Sequence, residues 1–423
     1  MPSSTTVHPP APVAPPRSRW GAERGAVLVQ VVVAFIGLTA FTGFVVDYGV
    51  LWSARRQAQN AADAGAMAAA VSLGFVNATN QALARSAALD AAAQNTIWGQ
   101  APDITPADVT FPPCPVGSPG FGTNTCVRVN VFRNQRPGGS PLPTFFTQLV
   151  GVTTQGVQAT ATAEVVYGNS TNCVKPFAIP DRWTELRNNV GPAGWDPTDS
   201  FERYVQNGNN RGALLNPADV YVPPTGGVGG NNGTGFDVTR DYGMPLTIKD
   251  GNPNQAIQPG WYYPVVINPS EGPGANNYNN NIATCDPTVI RAGDVLTMEP
   301  GNMIGPTRQG VGDLIALDPN AVWSLSANGG RGGISGGCMS SPGNPCALSP
   351  RVVAVPVFNP DVWDRGPSNG RSSVTVTRII GMFVERMQGN DVIGRLLPYP
   401  SAAYSGTGGV PGAAFVISIV LVR

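Results

Sequence analysis

Six cysteines and a single histidine are the residues whose chemistry must be accounted for first. Cys114 and Cys126 lie close in sequence, as do Cys338 and Cys346, and Cys173 and Cys285 remain. Zinc is held by thiolate and imidazole sets of short, fixed spacing. Here no C-x-x-C occurs, and the histidine, His8, lies in the tail "MPSSTTVHPPAPVAPP". No metal set is expected. An even cysteine count in an extracytoplasmic chain suggests disulfides. Proximity favours the two local pairs and leaves the other pairings open. A bridge across such a short loop stabilises by at most ~3 kcal/mol.

Catalytic sets are equally sparse. With His8 in the tail, no Ser-His-Asp or Cys-His arrangement is available elsewhere. Asp294, Glu299 and Asp313 are not spaced as a diagnostic acid/base pair. The stretch "EPGNMIGPTRQGVGDL" has glycines to cradle an anion but lacks the Lys-Ser/Thr ending of a P-loop, so turns joining strands are expected there. In "WYYPVVINPSEGPGANNYNNN", Trp261, Tyr262 and Tyr263 stand near asparagines, as on a sugar-stacking surface, but core and rim packing is the favoured reading. Asp47 is the one ionisable residue at the edge of a long apolar run. It caps the end of that run, pairs with a basic group of a partner, or is simply solvated. No enzyme and no cofactor are expected; a membrane-tethered hydrolase using carboxylates alone is the residual enzymatic alternative.

The elements that position these residues begin with the apolar run. From Gly25 to Val46, "GAVLVQVVVAFIGLTAFTGFVV" carries no charge. Twenty-two residues of helix span roughly 33 Å, close to the thickness of a bilayer core. A cleavable signal is usually shorter and ends at a small-residue site, so an uncleaved transmembrane helix over 25–46 is expected. Arg17, Arg19 and Arg24 precede the span, and Arg55 and Arg56 follow it. That bias places residues 1–24 in the cytoplasm as a disordered tail and the remaining bulk outside, as a single-pass cell-membrane protein.

No proline ends the helix at the membrane edge. Small or apolar residues recur at Leu51, Ala54, Ala58, Ala61, Ala62, Gly65, Ala66 and Ala69, which marks one helical face. Arg55, Arg56, Gln59, Asn60 and Asp63 occupy the other. One rod is therefore expected from Gly25 to about Leu73, broken at "GFVNATN" and followed by a second helix in "QALARSAALDAAAQNTIW". An Ala/Gly stripe lets another helix or a sheet approach closely. Two uses are expected of it: packing on the chain's own small sheet, and, with Asp47, Ala54, Ala58, Ala61, Ala62 and Gly65, docking onto partners.

The segment "RGAVLVQVVVAFIGLTAFTGFVVDYGVLWSARRQAQNAADAGAMAAA" closely resembles the N-terminal module of TadE/TadG-like proteins of the Tad (Flp) pilus-assembly system. The resemblance rests on Arg24-Gly25 before the span, Asp47 and Gly49 at its exit, Arg55-Arg56, and Gln59-Asn60-Ala61-Ala62-Asp63-Ala64. It covers about the first 170 residues. Further on, "PFAIPDRW", "PGNMIGPTRQGV" and "SPRVVAVPVF" are similar to stretches of members with a long extracytoplasmic tail. The resemblance implies an accessory of bacterial pilus biogenesis or a related secretion apparatus in the cell envelope, with the lipid bilayer and other apparatus proteins as partners. It stops short in two places. Pilin-like relatives carry a Glu five residues after the processed Gly, where Gln30 stands here. The D-x-S-x-S ion-binding motif of larger members is absent.

Beyond the rod, "ADVTFPP", "TCVRVNVFRN" and "QGVQATATAEVVYG" alternate as strands, and "LPTFFTQLVG" reads as a short helix. Together with the rod they make a small α+β layer over 47–168. Residues 172–423 are dense in Gly, Pro and Asn and read as a β-rich extracytoplasmic domain, with strands in "GWYYPVVIN", "RVVAVPVF" and "SVTVTRIIGMFVER". The terminal "AAFVISIVLVR" is too short to cross a membrane and reads as a buried or barrel-closing strand. The overall expectation is an α+β chain. Its 26 basic and 26 acidic residues cancel, so nothing favours nucleic acid as a partner. The alternative to the apparatus reading is a surface adhesin or ligand-binding protein working through residues 172–423.

Overall fold

The computed structural model describes residues 20–76, 80–120, 123–187, 195–207, 210–224, 233–251, 256–341, 345–362, 373–401 and 414–422. The expected tail therefore lies outside the described residues, apart from the start of the first helix. That helix, α1 (Trp20–Val71), runs for 52 residues without a break, about 78 Å. One π turn, Ser72–Val76, ends it. The second helix, α2 (Gln81–Ala93), starts where the Asn80 side chain accepts the Leu83 N–H, a side-chain N-cap. Strands β1 (Val109–Thr110), β2 (Cys126–Arg133) and β3 (Val157–Gly168) follow. Next come β4 (Phe177–Pro180), β5 (Pro245–Asp250), β6 (Trp261–Pro264), helix α3 (Ala275–Ala283), β7 (Val295–Thr297) and helix α4 (Ile304–Ala316). The chain closes with β8 (Val352–Phe358), β9 (Ser373–Gln388), β10 (Asp391–Leu396), β11 (Tyr399–Pro400) and β12 (Val416–Val422).

Two cores result. In the first, a five-stranded sheet of order β1-β2-β3-β12-β11 packs against α1 and α2. Antiparallel register sets Val127, Val129 and Val131 opposite Ala163, Ala161 and Ala159. The period-two alternation of both strands turns all six toward the helices, and each is buried. In the second, β9, β8, β4, β6, β5 and β10 pair in that order, and β9 pairs again with β10, which closes a six-stranded barrel. The 16-residue β9 serves both neighbours. Register shifts at Val357/Phe358 and Val384/Arg386 bend the ladder, as bulges do in barrels.

Of the two places expected for the terminal strand, buried or barrel-closing, the second is overturned. The barrel closes through β9 and β10, and β12 instead pairs antiparallel with β3, Ile417 opposite Tyr167 and Ile419 opposite Val165. It thereby covers an edge that β3 would otherwise leave open. Its alternation serves both cores: Phe415 and Val416 join the barrel core, and Ile417 joins the helix–sheet core. The N–H groups of Tyr399 and Ser401 donate to Phe415 and Ile417 carbonyls at 2.7 and 2.9 Å. Residues 416–422, from the expected outer domain, thus return to the first sheet.

A second correction concerns the glycine-rich stretch. Residues 304–316 form α4 rather than turns. A Cβ at Gly310 would stand 2.8 Å from Ile282 Cβ on α3, so this glycine lets two helices touch. Tyr278, Ile282, Val311 and Leu314 enter the barrel core.

Candidate functional site

The most specific arrangement in the molecule surrounds Asp47, at the point where α1 changes character. Asp47 is only 3% exposed. Its Oδ1 accepts the Phe145 N–H at 2.8 Å, and its Oδ2 accepts those of Phe146 and Thr147 at 3.1 and 2.7 Å. The Gln155 side-chain amide donates to the Asp47 carbonyl at 3.4 Å. Of the three readings open for this residue, solvation is thus overturned. The carboxylate is consumed by a loop of its own chain, some 100 residues away in sequence.

That loop was expected to be a short helix. It is one 3-10 turn, Thr147–Val150, ended by Gly151 at φ +89 and lacking a side-chain cap of its own. A turn this short leaves its leading N–H groups without partners. Asp47 supplies the missing acceptor from another element, through charge-assisted hydrogen bonds. Gly43 makes room: a Cβ there would lie 2.6 Å from Phe146 Cβ. Between helix and loop runs a cleft of about 440 Å³ lined by Phe35, Ile36, Ala40, Phe44, Phe146 and Leu149.

The two halves of α1 meet different surroundings. From Val27 to Val46 its large side chains are exposed, among them Leu28, Phe35, Leu38 and Phe41 at 66–70%. The helix is long and apolar enough to span a membrane. From Val50 onward the buried positions step by three and four. Ala54, Ala58, Ala61 and Ala62 are 0% exposed, and Gly65 is buried with Ala88 O only 3.1 Å from where its Cβ would stand. They pack on α2 and on the β2–β3 face. Of the two uses expected of this face, packing on the chain's own sheet is the one the fold shows, and it buries the alanines and Gly65. The charged edge beside them, Arg55, Arg56 and Asn60, is exposed.

All six cysteines are paired, Cys114 with Cys126, Cys173 with Cys285 and Cys338 with Cys346. Both local pairs form. The long-range bridge ties the entry of the barrel chain to the end of α3, across a separation of 112 residues. The sulfurs of Cys114 and Cys126 and a Glu164 carboxylate oxygen lie within 4.8 Å of one another. With those sulfurs bonded to each other, no thiolate remains there to ligate a metal. Burial pushes the Glu164 carboxyl above its usual range.

The three carboxylates singled out in the sequence are put to separate uses. Asp294 accepts the Arg291 N–H at 2.7 Å in a turn. Glu299, raised by burial, accepts the Gly274 N–H at 2.9 Å at the start of α3. Asp313 is exposed on α4. Trp261, Tyr262 and Tyr263 are buried along β6, as core packing requires.

The charges that matter in the barrel went unnoticed in the sequence. In "PFAIPDRW", Asp181 is fully buried and pairs with Arg378 at 2.7 Å, while accepting the Tyr221 hydroxyl and the Phe236 N–H. Arg182 pairs with Asp241. Lys175 donates to the Asn281 and Thr284 carbonyls at the end of α3, and burial pulls its ammonium down to about 8. Asp219 accepts N–H groups of Leu186 and Glu202, and burial, with Glu185 beside it, pushes its carboxyl up to about 7. The available signal was a charge set in an apolar run, which a fold must pair or cap. Where the end of α1 faces the second body, an apolar cleft of about 360 Å³ is lined by Phe75, Tyr242, Trp323, Ile334, Met339 and Leu397.

A scan against protein-family models finds no match to this chain, and comparison with curated proteins and with solved structures finds none either.

Proposed function

We propose that this chain is a membrane-anchored, non-enzymatic accessory of envelope assembly, of the Tad/Flp pilus type or a related secretion apparatus. The observation that carries the reading is the single unbroken α1. Its first half presents large apolar side chains on all sides, and its second half is packed into a folded body. The residues from Arg24 to Ala70, similar to the TadE/TadG-like module, supply the family context. The arginine bias puts the N-terminus in the cytoplasm and the sheet and barrel outside, where three disulfides are chemically at home.

Because the alanine face is covered, apparatus partners meet other surfaces: the apolar first half of α1 within the bilayer, and the exposed edge bearing Arg55, Arg56 and Asn60 above it. In-cell photocrosslinking from position 60, with piliation or secretion assayed in parallel, tests this. Discrete adducts to apparatus proteins support the reading. A cytosolic C-terminal body in protease-protection assays would sink it.

The adhesin alternative draws support from the 360 Å³ cleft, whose Trp323, Tyr242 and Met339 could seat an apolar ligand. Deleting residues 172–423 does not separate the two, because that deletion removes β12 and uncovers the first sheet. Trp323→Ala does: it should abolish surface adhesion and spare assembly if the cleft is the working end.

A further inference from the structure

We infer that the 144–152 loop is a second membrane contact, an apolar turn immersed in the outer leaflet beside α1, with a lipid acyl chain in the cleft between them. The inference rests on the reading of α1 as a membrane span, and it adds lipid recognition by a segment distant in sequence.

Position is the first argument. Phe146 lies against Gly43, and the cleft it forms with Leu149 is floored by Phe35, Ile36, Ala40 and Phe44. The loop therefore runs down the helix alongside the half of the apolar stretch nearest Asp47. Whatever solvent surrounds those helix residues surrounds the loop too.

Composition is the second. Leu149 is 84% exposed, Phe145 50% and Val152 49%, which makes the loop tip an apolar display. No charged residue occurs from Pro137 to Ala163. In water this display, together with the bare helix beside it, would form one large apolar patch.

Backbone accounting is the third. Lipid offers no hydrogen bonds, so chain immersed in it must satisfy its polar groups internally. The Phe145, Phe146 and Thr147 N–H groups go to Asp47. Those of Leu149, Gly151 and Val152 go to carbonyls within the loop. The Thr144 hydroxyl donates to the Val152 carbonyl at 2.7 Å, and the Gln148 amide donates to the Thr144 carbonyl. On the helix, the Thr39 and Thr42 hydroxyls turn back to the Phe35 and Leu38 carbonyls at 2.8 Å. The closure covers these N–H groups and side chains; the buried Thr147 Oγ1 has no hydrogen-bond partner. At the tip the exposed Phe145, Phe146, Leu149 and Val152 are hydrocarbon, and the exposed Gln148 turns its amide back to the Thr144 carbonyl. Asp47 gains a purpose from this arrangement: it holds the turn against the helix and takes three donors out of the lipid's reach.

The test uses the full chain in phosphatidylethanolamine–phosphatidylglycerol proteoliposomes. With all six native cysteines in disulfides, Leu149→Cys carries a nitroxide as the only free thiol, and Val33→Cys and Asn60→Cys serve as references for span and water. The expected result is that position 149 matches position 33: relaxation enhanced by oxygen and little affected by a water-soluble nickel chelate, the reverse of position 60. If 33 is lipid-exposed and 149 behaves like 60, the loop inference fails and the span stands. If 33 is lipid-exposed and 149 is shielded from both reagents, a second copy or another protein covers the loop, and the lipid assignment is overturned. Water exposure at 33 would overturn the span, and this inference with it.

Discussion

The helix–sheet core and the barrel core solve the same problem with opposite materials. The first is built from Ala54, Ala58, Ala61, Ala62, Ala66 and the valines and alanines of β2 and β3. The second is built from Trp183, Trp195, Phe201, Phe236, Tyr262 and Tyr278, with charged pairs buried among them. Small residues stabilise by letting backbones approach, so each contributes little area but leaves no slack. Large aromatics stabilise by the area they bury, roughly 25 cal/mol per Å². A core of the first kind should resist enlargement, and a core of the second kind should resist truncation.

The largest expected effect is in the barrel. Trp183 lies edge-on to Trp195 and Phe201, with ring centres 5.5 and 5.4 Å apart. Trp183→Ala should cost about 3–5 kcal/mol, read as a fall in thermal midpoint of the full chain in nanodiscs. Next is Asp47→Ala at the join between helix and loop, which strands three N–H donors. Hydrogen exchange should accelerate at Phe145, Phe146 and Thr147 and leave β9 unchanged; retained protection at those three amides would show that the clamp is not what orders the loop.

The helix–sheet core should answer to enlargement. Ala61→Leu should cost about 1–3 kcal/mol by forcing α1 off the sheet, whereas Ala61→Gly, which only loosens the helix, should cost ~1 kcal/mol or less. Equal tolerance of both would break the comparison, since it would mean the small-residue core is not closely packed.

The gentlest readout is pH. Asp219 has its folded carboxyl pushed up to about 7, above the unfolded value of about 3.9. The folded state therefore holds a proton that the unfolded state releases. The associated stability is complete below the unfolded value and is lost as pH rises through the folded one. The midpoint should decline from pH 5 to pH 8, and Asp219→Asn should flatten that decline. A slope unchanged by the substitution would assign the pH response elsewhere.

Much of the architecture could be read along the chain, and the misses share one cause. The helix from Gly25 to about Leu73, its alanine stripe and the alternation of β2 and β3 are periodic signals, and periodicity is local. The local cysteine pairs followed from proximity. The glycine-rich stretch was misread because glycine serves both turns and close helix contacts, and only the presence of α3 against Gly310 separates the two. The 142–151 segment reads as a helix because its composition does not reveal that N–H groups in it are taken by a carboxylate on α1.

The amino-acid order by itself determined the long first helix, which side of that rod is small, and that residues 416–422 form a strand. Only the tertiary structure decided what covers each of those faces. The alanines meet their own sheet, β12 joins β3 across more than 240 residues, and Asp47 reaches a loop 98 to 100 residues on. The physical reason is that a buried pattern specifies the need for a neighbour but not its identity. That identity is settled by which open edge, unpaired donor or missing side-chain volume the rest of the fold leaves within reach.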